Sequence, residues 1–446
     1  MKKLLMMIGA ATVAVGTTLP MAANAEIGTI NLHGVTWTVN TNMTMRTAIL
    51  GDGSSACIDT STAIDASKIP WSFFIGEGDD AIQYTVTAIA ANAFNGCSNL
   101  SGTLTIPDTV TSAGNYAFKN CTGLTELASL GNITTVPTEG FNGCGNLNTY
   151  PDMSKVSTIG KNAFRNCSMD GEVDLASLSG NIQDSAFNGA KITKITFPRR
   201  AVAINGNTLF NSCVNLKGVY FPGPDDSGVA TIRKSSCFAG CTSLRVFLAG
   251  PRTGVHTQYG SSDANMFLGV SGCTIFVPAG NLSSSGYYGN WDEYLGDDAV
   301  SGNTVLRYGD GGELNFAFDH NAKSITAVPA TTHALTNVLS VAATIKSEFG
   351  YDVRVSVTNA LDLTDVTITE DMTSGVTFDR LVFSAKTQTQ LNAILAKFPA
   401  TTPISIDPTG LTENMVIPET YPNVFVKTVP GVTIKRTASG FMITFH

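Results

Sequence analysis

The chain is poor in charged residues. Asp, Glu, Lys and Arg make up 14% of its 446 residues, whereas they make up roughly 25% of an average soluble domain. The formal net charge is -8 at pH 7, and this balance argues against a nucleic-acid-binding protein, which carries a basic patch or stripe. It argues equally against attraction to an anionic membrane surface. Thr, Ser, Asn and Gly supply the polar surface instead, as is typical of exported proteins.

The motifs of common catalytic sites are also missing. The five histidines include no His-Glu-x-x-His arrangement, and neither a Gly-x-Ser-x-Gly elbow nor a Walker loop occurs. The paired acids Asp225-Asp226 and Asp297-Asp298 are sequence neighbours in loops. Adjacent positions do not give the separation of ~5–10 Å across a sugar that glycoside hydrolysis needs. We therefore expect no enzymatic activity, no cofactor and no bound metal.

Long apolar runs are absent beyond the N-terminus, where residues 1–25 have the pattern of a secretory signal peptide. Lys2 and Lys3 precede an apolar core, and Ala23-Asn24-Ala25 provides small residues for cleavage. The core is too short to span a bilayer. We expect a mature protein that starts near Glu26, is secreted or held at the cell surface, and has no membrane span after cleavage.

A phenylalanine recurs through the middle of the chain at a period of about 23 residues, which is typical of leucine-rich-repeat solenoids. Within one repeat, the spacing of Ala93, Cys97 and Leu100 predicts a helix of about two turns. The alternation in Leu104-Thr105-Ile106-Pro107 predicts a short strand that ends at proline. The repeat phenylalanines are Phe94, Phe118, Phe141, Phe164, Phe187, Phe210, Phe238 and Phe267.

Most of the nine cysteines occupy one position of the repeat. Cys is among the most buried residue types, so we expect a ladder of buried free thiols. Disulfides between stacked coils are the alternative, because stacking places equivalent residues within the ~4.4–6.8 Å Cα separation of a bridge. A zinc site is disfavoured because no Cys-x-x-Cys occurs. The six repeat cysteines are Cys97, Cys121, Cys144, Cys167, Cys213 and Cys241.

The segment Ile159-Gly160-Lys161-Asn162-Ala163-Phe164-Arg165-Asn166-Cys167 resembles the BspA-type leucine-rich-repeat family of bacterial surface and secreted proteins. The resemblance extends over residues 84–298. It implies an α/β leucine-rich-repeat solenoid with a short strand and a short helix in each repeat. It also implies adhesion or binding to proteins or glycans, without enzymatic activity.

The flanking segments define the other predicted domains. We expect an N-terminal cap over residues 26–84, the solenoid over residues 85–298, and a smaller α+β domain of unknown type over residues 299–446. In this last domain an apolar helical face from Leu335 to Phe349 stops at Gly350. An irregular continuation of the solenoid is the alternative there.

Three aromatic residues stand at alternating positions in the last three repeats. If Val219 and Phe221 point inward, Tyr220 points outward, and the same reasoning applies to Phe247 and Phe276. Contiguous exposed aromatics indicate a contact surface, so these three residues are the predicted partner-binding site. The alternatives are that the C-terminal domain packs on them, or that inserted loops shift the register and bury them.

Three functions remain open from the sequence. The first is an exported, non-enzymatic binding or adhesion protein whose partner is a protein or a glycan. The second is a structural or self-assembling component of the cell surface. The third is an enzyme with its site confined to the C-terminal domain. The composition and the repeat favour the first, because no catalytic site can be argued from the residues.

Overall fold

The computed structural model describes residues 14–15, 25–204, 206–224, 228–233, 235–256, 266–279, 288–289, 291, 295, 302–309, 313–437 and 440–445. The predicted signal peptide therefore falls almost entirely outside the described residues. The chain divides into two units. Unit 1 comprises residues 1–216, 224–243 and 254–270, and unit 2 comprises residues 217–223, 244–253 and 271–446.

Unit 1 consists of an N-terminal sheet followed by a β-solenoid. Two short 3₁₀ helices, Ala66–Lys68 and Gly78–Asp80, join strands of its first part. The strands are β1 (Ala14–Val15), β2 (Ala25–Leu32), β3 (Val35–Asn42), β4 (Thr47–Leu50), β5 (Ile64–Asp65), β6 (Ser72–Ile75), β7 (Ile82–Ile89), β8 (Leu100–Ile106), β9 (Ser112–Ala113), β10 (Leu124–Leu130), β11 (Thr135–Val136), β12 (Thr158–Ile159), β13 (Gly171–Asp174), β14 (Ile192–Thr196) and β15 (Ala203–Ile204), with β17 (Ala230–Arg233) and β19 (Thr253–His256) after a break in the unit.

The phenylalanines form one continuous stack in the core of unit 1. From Phe94 to Phe267, neighbouring rings lie 4.9 to 5.9 Å apart between centroids, and every ring is at most 2% exposed. Trp37 of β3 packs edge-on against Phe94 at 6.4 Å. One ring per coil cannot be buried by its own coil, so stacking of neighbouring coils creates the core.

The prediction of a helix in each repeat is wrong. The N–H of Cys97 donates to the carbonyl of Phe94 (3.1 Å), three residues back, whereas the N–H of Phe94 donates to Ala117 of the next coil (2.7 Å). The same alternation recurs in the following coils, as at Phe118, which donates to Gly140 (2.8 Å). An α-helix bonds every N–H to the residue four positions back. Because half of these groups bond to the next coil, the phenylalanine segments are turns.

The residue before the repeat cysteine has a left-handed backbone, as in Asn120 (φ 58°), Gly143 (φ 76°) and Asn166 (φ 57°), and so has Gly189 (φ 70°), which precedes Ala190 at the same repeat position. Glycine and asparagine tolerate this conformation best. Their alternation has a second cause, since a Cβ atom on Gly143 would lie 2.4 Å from Oδ1 of Asn120. The asparagine of one coil therefore occupies the space over the glycine of the next.

Unit 2 contains one long sheet and three helices. The strands are β16 (Gly218–Phe221), β18 (Val246–Ala249), β20 (Thr274–Pro278), β21 (Tyr288–Gly289), β22 (Thr304–Tyr308), β23 (Leu314–Asp319), β24 (Ser324–Pro329), β25 (Asp352–Ser356), β26 (Val376–Ser384), β27 (Ile404–Asp407), β28 (Met415–Pro418), β29 (Val424–Val426), β30 (Val432–Thr437) and β31 (Gly440–Phe445). The helices are α1 (Thr332–Phe349), α2 (Glu370–Thr373) and α3 (Gln388–Leu395).

Strands of unit 2 pair in chain order, from β16 through β18, β20, β22, β23, β24, β25, β26 and β27 to β29. The pairs are parallel except for the β23–β24 hairpin. Helices α1 and α3 connect parallel neighbours, and β28, β31 and β30 form a separate antiparallel sheet. The domain boundary predicted at residue 298 stays a prediction. The division of the chain into two units places β16, β18 and β20 in the same unit as the residues after 298.

We expect alanine to reduce the stability of the protein at one glycine of the left-handed turn but not at a nearby glycine outside it. We expect Gly189→Ala to lower the free energy of unfolding by about 1–2 kcal/mol, because an L-residue is strained at a left-handed φ and the new Cβ would lie 2.6 Å from Oδ1 of Asn166. Gly145→Ala is the matched control, since a Cβ there meets no atom within 4 Å. Urea unfolding measures both variants, and equal losses would contradict the packing argument.

Candidate interaction surface

The strands β8, β10, β13 and β14 of unit 1 turn polar side chains outward. In β8, Leu104 and Ile106 are fully buried, whereas Thr103 and Thr105 are exposed. This alternation follows from the two faces of a strand. We call the exposed or half-buried outward residues the outer face; its members are Ser101, Thr103, Thr105, Glu126, Glu172, Asp174, Lys194 and Thr196.

Side chains of the outer face are joined across neighbouring coils. The Thr103 hydroxyl donates to Oε2 of Glu126 (2.9 Å). Lys194 Nζ lies 2.7 Å from Oε2 of Glu172, and the Thr196 hydroxyl donates to the other oxygen of Glu172 (3.3 Å). Such contacts restrict side-chain rotation, so part of the entropy cost of binding is met before a partner arrives. The outer face holds more carboxylates than cations.

The parallel pairing of the outer face is interrupted once. Strand β10 is the last strand of the sheet β10-β8-β5, and β13 is the first strand of the sheet in which it pairs with β14. The coil between them, residues 147–153, has no strand. It meets both neighbours at Asn148, whose N–H donates to Thr125 (3.1 Å) and whose carbonyl accepts from Asp170 (3.3 Å). We call residues 147–153 the sheet break.

Pro151 contributes to the interruption of the pairing. Proline has no N–H group to donate to a ladder, and it stands in the middle of the segment between Leu147 and Met153, which are both buried. Beside the sheet break lies a depression with a volume of about 170 Å³. Its lining consists of Tyr150, Pro151, Asp152, Met153, Ser154, Glu172, Asp174, Ala176 and Ser177. The pattern Tyr-Pro within a repeat strand was the sequence signal for this feature.

Tyr150 turns its ring into the core of unit 1. The ring centroid lies 5.9 Å from that of Phe164 and 6.1 Å from that of Phe187. Phe187 belongs to the repeat in which Ala190 replaces the cysteine. The Tyr150 hydroxyl is buried without a hydrogen-bond partner, and burial raises its pKa well above the usual value.

The aromatic residues predicted as a partner-binding stripe are buried. Tyr220, Phe247 and Phe276 are 3%, 0% and 0% exposed, so the prediction that they face solvent is wrong. Other residues of unit 2 cover them, which is the packing alternative raised from the sequence for Tyr220 and Phe276. A role of the three residues in partner binding stays a prediction, and it would require this packing to open.

The side chains that cover Tyr220 and Phe276 are aromatic residues of β23, of the end of α1 and of the segment that directly follows α1. The Tyr220 ring lies 5.5 Å from both Phe349 and Tyr351, and Phe276 lies 5.0 Å from Phe316. The Phe247 ring is covered by Trp291 at 5.5 Å. Alternation along a strand assigns a residue to one face of the sheet but does not reveal what packs on that face. The predicted exposure of these three residues was wrong for this reason.

The cysteines are all buried and unpaired. Five of the thiols have the same kind of partner, because each donates to a phenylalanine carbonyl of the preceding coil, as Cys121 does to Phe94 (3.0 Å) and Cys144 to Phe118 (3.0 Å). The other three are Cys167, Cys213 and Cys241. Burial raises the pKa of Cys144 to about 12 and that of Cys97 to about 11. Among the described residues, no group of three or more His, Cys, Asp or Glu side chains is placed to hold a metal ion.

The stacked coils, with one buried phenylalanine in each and a parallel strand in all but the coil of the sheet break, have the architecture of a leucine-rich-repeat solenoid. Residues 80–171 and 153–253 match the sequence model of the family described as "BspA type Leucine rich repeat region", in six copies. This part of the chain is therefore similar to the BspA-type leucine-rich-repeat family, as the repeat motif predicted. The resemblance to this family, which was based on the recurrence of Phe and Cys, is thus confirmed by the family comparison.

Three solved structures show similarity to the chain. A leucine-rich repeat protein from Bacteroides ovatus ATCC 8483 has 16% identity and a TM-score of 0.32 over 90% of this chain and 99% of its own. A leucine-rich repeat protein from T. pallidum has 18% identity and a TM-score of 0.29 over 47% of this chain and 87% of its own. A leucine-rich cell surface protein from Faecalibacterium prausnitzii A2-165 has 17% identity and a TM-score of 0.23 over 54% of this chain and 87% of its own. No curated protein matches the chain.

Within the described part of the chain, no helix combines the length and the apolar character needed to cross a bilayer. Helix α1 is 18 residues long, but Lys346 and Glu348 lie in its last turn and its apolar residues face the core of unit 2.

The raised thiol pKa values predict loss of stability at alkaline pH. Below the unfolded pKa of about 9, the thiols are protonated in both states and the native state keeps its full stability. Above it, the unfolded chain ionises first, so stability falls by about 1.4 kcal/mol per pH unit for each thiol until the folded pKa is reached. For Cys144 this window runs from about 9 to about 12.

Urea unfolding between pH 8 and pH 11 on the wild type and on Cys144→Ala measures this effect. We expect the variant to be less stable at pH 8, because a buried contact is lost, and its stability to fall less steeply above pH 9. Equal slopes would show that the Cys144 thiol does not titrate differently in the two states.

We expect opposite effects on stability when the buried hydroxyl is removed from two tyrosines. Tyr150→Phe is expected to leave stability unchanged or raise it by up to about 1 kcal/mol, because an unsatisfied polar group is removed. Tyr308→Phe is expected to lower it by about 1 kcal/mol, because the Tyr308 hydroxyl donates to the carbonyl of Ala249 (2.7 Å). Chemical denaturation measures both, and a clear loss in Tyr150→Phe would reveal a partner for its hydroxyl.

Proposed function

We propose that the chain is an exported, non-enzymatic binding protein, secreted or held at the cell surface, that contacts a protein or glycan partner through the outer face. The observation that carries this proposal is the contrast in exposure between repeat strands. The outward residues of β8, β10, β13 and β14 are exposed or half-buried. Every residue of β16 and β18 is buried.

Two further features support a binding role. The outer face combines hydroxyl and carboxylate groups that are already held by bonds such as Thr103 to Glu126 and Lys194 to Glu172, and polar groups of this kind suit the polar rim and wet contacts of a non-obligate interface. The family that residues 80–253 match consists of repeat proteins, and repeat proteins use extended surfaces for binding.

Self-assembly is the second candidate, and exposed apolar side chains favour it. In the N-terminal sheet Ile27 is 42% exposed and Phe74 is 48% exposed, and Met45 in the turn between β3 and β4 is 71% exposed. Large exposed apolar residues that form a patch mark interaction sites. Light scattering on the full chain separates the two candidates, because a monomer across the measured concentration range counts against assembly.

A single bulky substitution tests the proposed function. We expect Thr105→Arg to weaken binding to whatever partner a glycan and matrix-protein panel reveals by at least about tenfold, because Thr105 is exposed on β8 and a long charged side chain there would obstruct close contact of a partner with the outer face. The thermal midpoint should not change, since Thr105 is exposed. The measurement is surface plasmon resonance on the wild type and the variant.

The matched control is Ser179→Arg, which introduces the same side chain at an exposed residue outside the strands. Binding should survive this change. If Thr105→Arg and Ser179→Arg bind the partner equally well, the outer face is not the contact surface.

A further inference from the structure

Strand β2 becomes the edge of the N-terminal sheet when the predicted signal peptide is removed. Within the described residues, the only strand beyond β2 in this sheet is β1, which pairs antiparallel with it at Ala14–Thr29 and Val15–Gly28. Both residues of β1 belong to the predicted signal peptide, and such a segment is cleaved from an exported protein. The N–H and C=O groups along this side of β2 are then unpaired, and such groups are a template for another strand.

Strand β2 also lacks the features by which natural proteins protect a sheet edge. These features are a very short strand, Lys or Pro in the strand, and a bulge. Strand β2 has eight residues, Glu26 is its only charged residue, and it pairs with β3 along its whole length without a shift of register. The strand at the opposite edge, β6, has only four residues. The acidic residues Glu77, Asp79 and Asp80 follow it. Of the two edges, β2 is therefore the one that accepts a long strand.

Apolar side chains lie beside this edge on both faces of the sheet. On one face Ile27 is 42% exposed, and it stands in one row with Asn40 of β3 and Ile49 of β4, which is 36% exposed. On the other face lies a depression of about 80 Å³, whose lining includes Ile30 and Val39. The side chains of an added strand point alternately to the two faces, so such a strand would cover Ile27 and also contact the depression.

A second copy of the chain fits this edge because the pairing is self-complementary. The pairing of β1 shows that the edge accepts an antiparallel strand, and a two-fold axis brings two copies of the same surface together. With the axis at Thr29, Glu26 of one copy lies opposite Leu32 of the other. The charged residues of the two strands then do not face each other, which would destabilise the pair. Both open edges are covered at once, whereas a strand of another protein covers only one.

We propose that cleavage of the signal peptide opens the edge of β2 and that two copies of the exported chain then form a dimer by antiparallel pairing of β2 with β2 around Thr29. The proposal rests on the export that is part of the proposed function, but not on the outer face, to which β2 does not belong. A two-fold pair is closed, so it ends at two copies and does not extend into a surface assembly.

The test uses the full chain, expressed with export so that the cells remove the signal peptide. Mass spectrometry of the exported protein should show an N-terminus near Glu26. Light scattering should show a mass that rises from one chain to two chains as the protein is concentrated. Thr29→Lys places two like charges at the two-fold axis. We expect the dissociation constant of its dimer to rise by at least about fivefold, which corresponds to the size of cross-strand pair energies.

The matched control is Thr38→Lys. Thr38 lies on β3 directly opposite Thr29, on the same face, and both residues are half-buried. The control therefore introduces the same charge one strand away from the edge, and it should dimerise like the wild type. A mixture of Thr29→Lys and Thr29→Glu chains should dimerise more tightly than either variant alone, because opposite charges then meet at the axis. Near-UV circular dichroism verifies that each variant is folded.

Four outcomes overturn the proposal: an exported chain that retains β1, a mass of one chain at every concentration, equal dimerisation of Thr29→Lys and Thr38→Lys, or a mass that grows beyond two copies. Failure of the proposed function is measured separately, by the binding of Thr105→Arg to its panel partner, since that variant leaves β2 unchanged.

Discussion

The structure of unit 1 depends on hydrogen bonds between the turns that carry the phenylalanines. In each turn one N–H bonds within the coil and the next bonds to the following coil, as at Cys97 and Phe94. These bonds fix the coil-to-coil distance, and that distance lets the rings stack at 4.9 to 5.9 Å. The cysteine thiol adds a third contact, because it reaches the phenylalanine carbonyl of the preceding coil. Ring, thiol and backbone thus hold the same pair of coils together.

This arrangement explains which parts of the fold the sequence predicts. The recurrence of Phe and Cys reports directly on stacking, so the solenoid and the burial of the cysteines follow from it. The apolar spacing of Ala93, Cys97 and Leu100 suits a helix and a turn equally well, because both place these side chains on one side. The choice depends on whether the N–H of Phe94 bonds within its own coil or to Ala117. A pattern of side chains carries no information on that choice.

The error over Tyr220, Phe247 and Phe276 has the same origin. Strand alternation separates two faces, but burial of both faces depends on residues far along the chain, such as Phe316 and Phe349. In β16 and β18, all residues are buried, and a strand buried on both faces reads as a continuous apolar run. The run Val246-Phe247-Leu248-Ala249 has this character, whereas Leu104-Thr105-Ile106 alternates. That difference in polarity marks which strands keep an exposed face.

The sheet break shows that one coil can stay in the stack without a strand. Asn148 bonds to Thr125 on one side and to Asp170 on the other, so residues 147–153 keep their place between β10 and β13. Pro151 has no N–H group to donate to a ladder, yet Leu147 and Met153 on either side of it are buried. Burial of these side chains, rather than pairing of the main chain, therefore holds this coil in the solenoid.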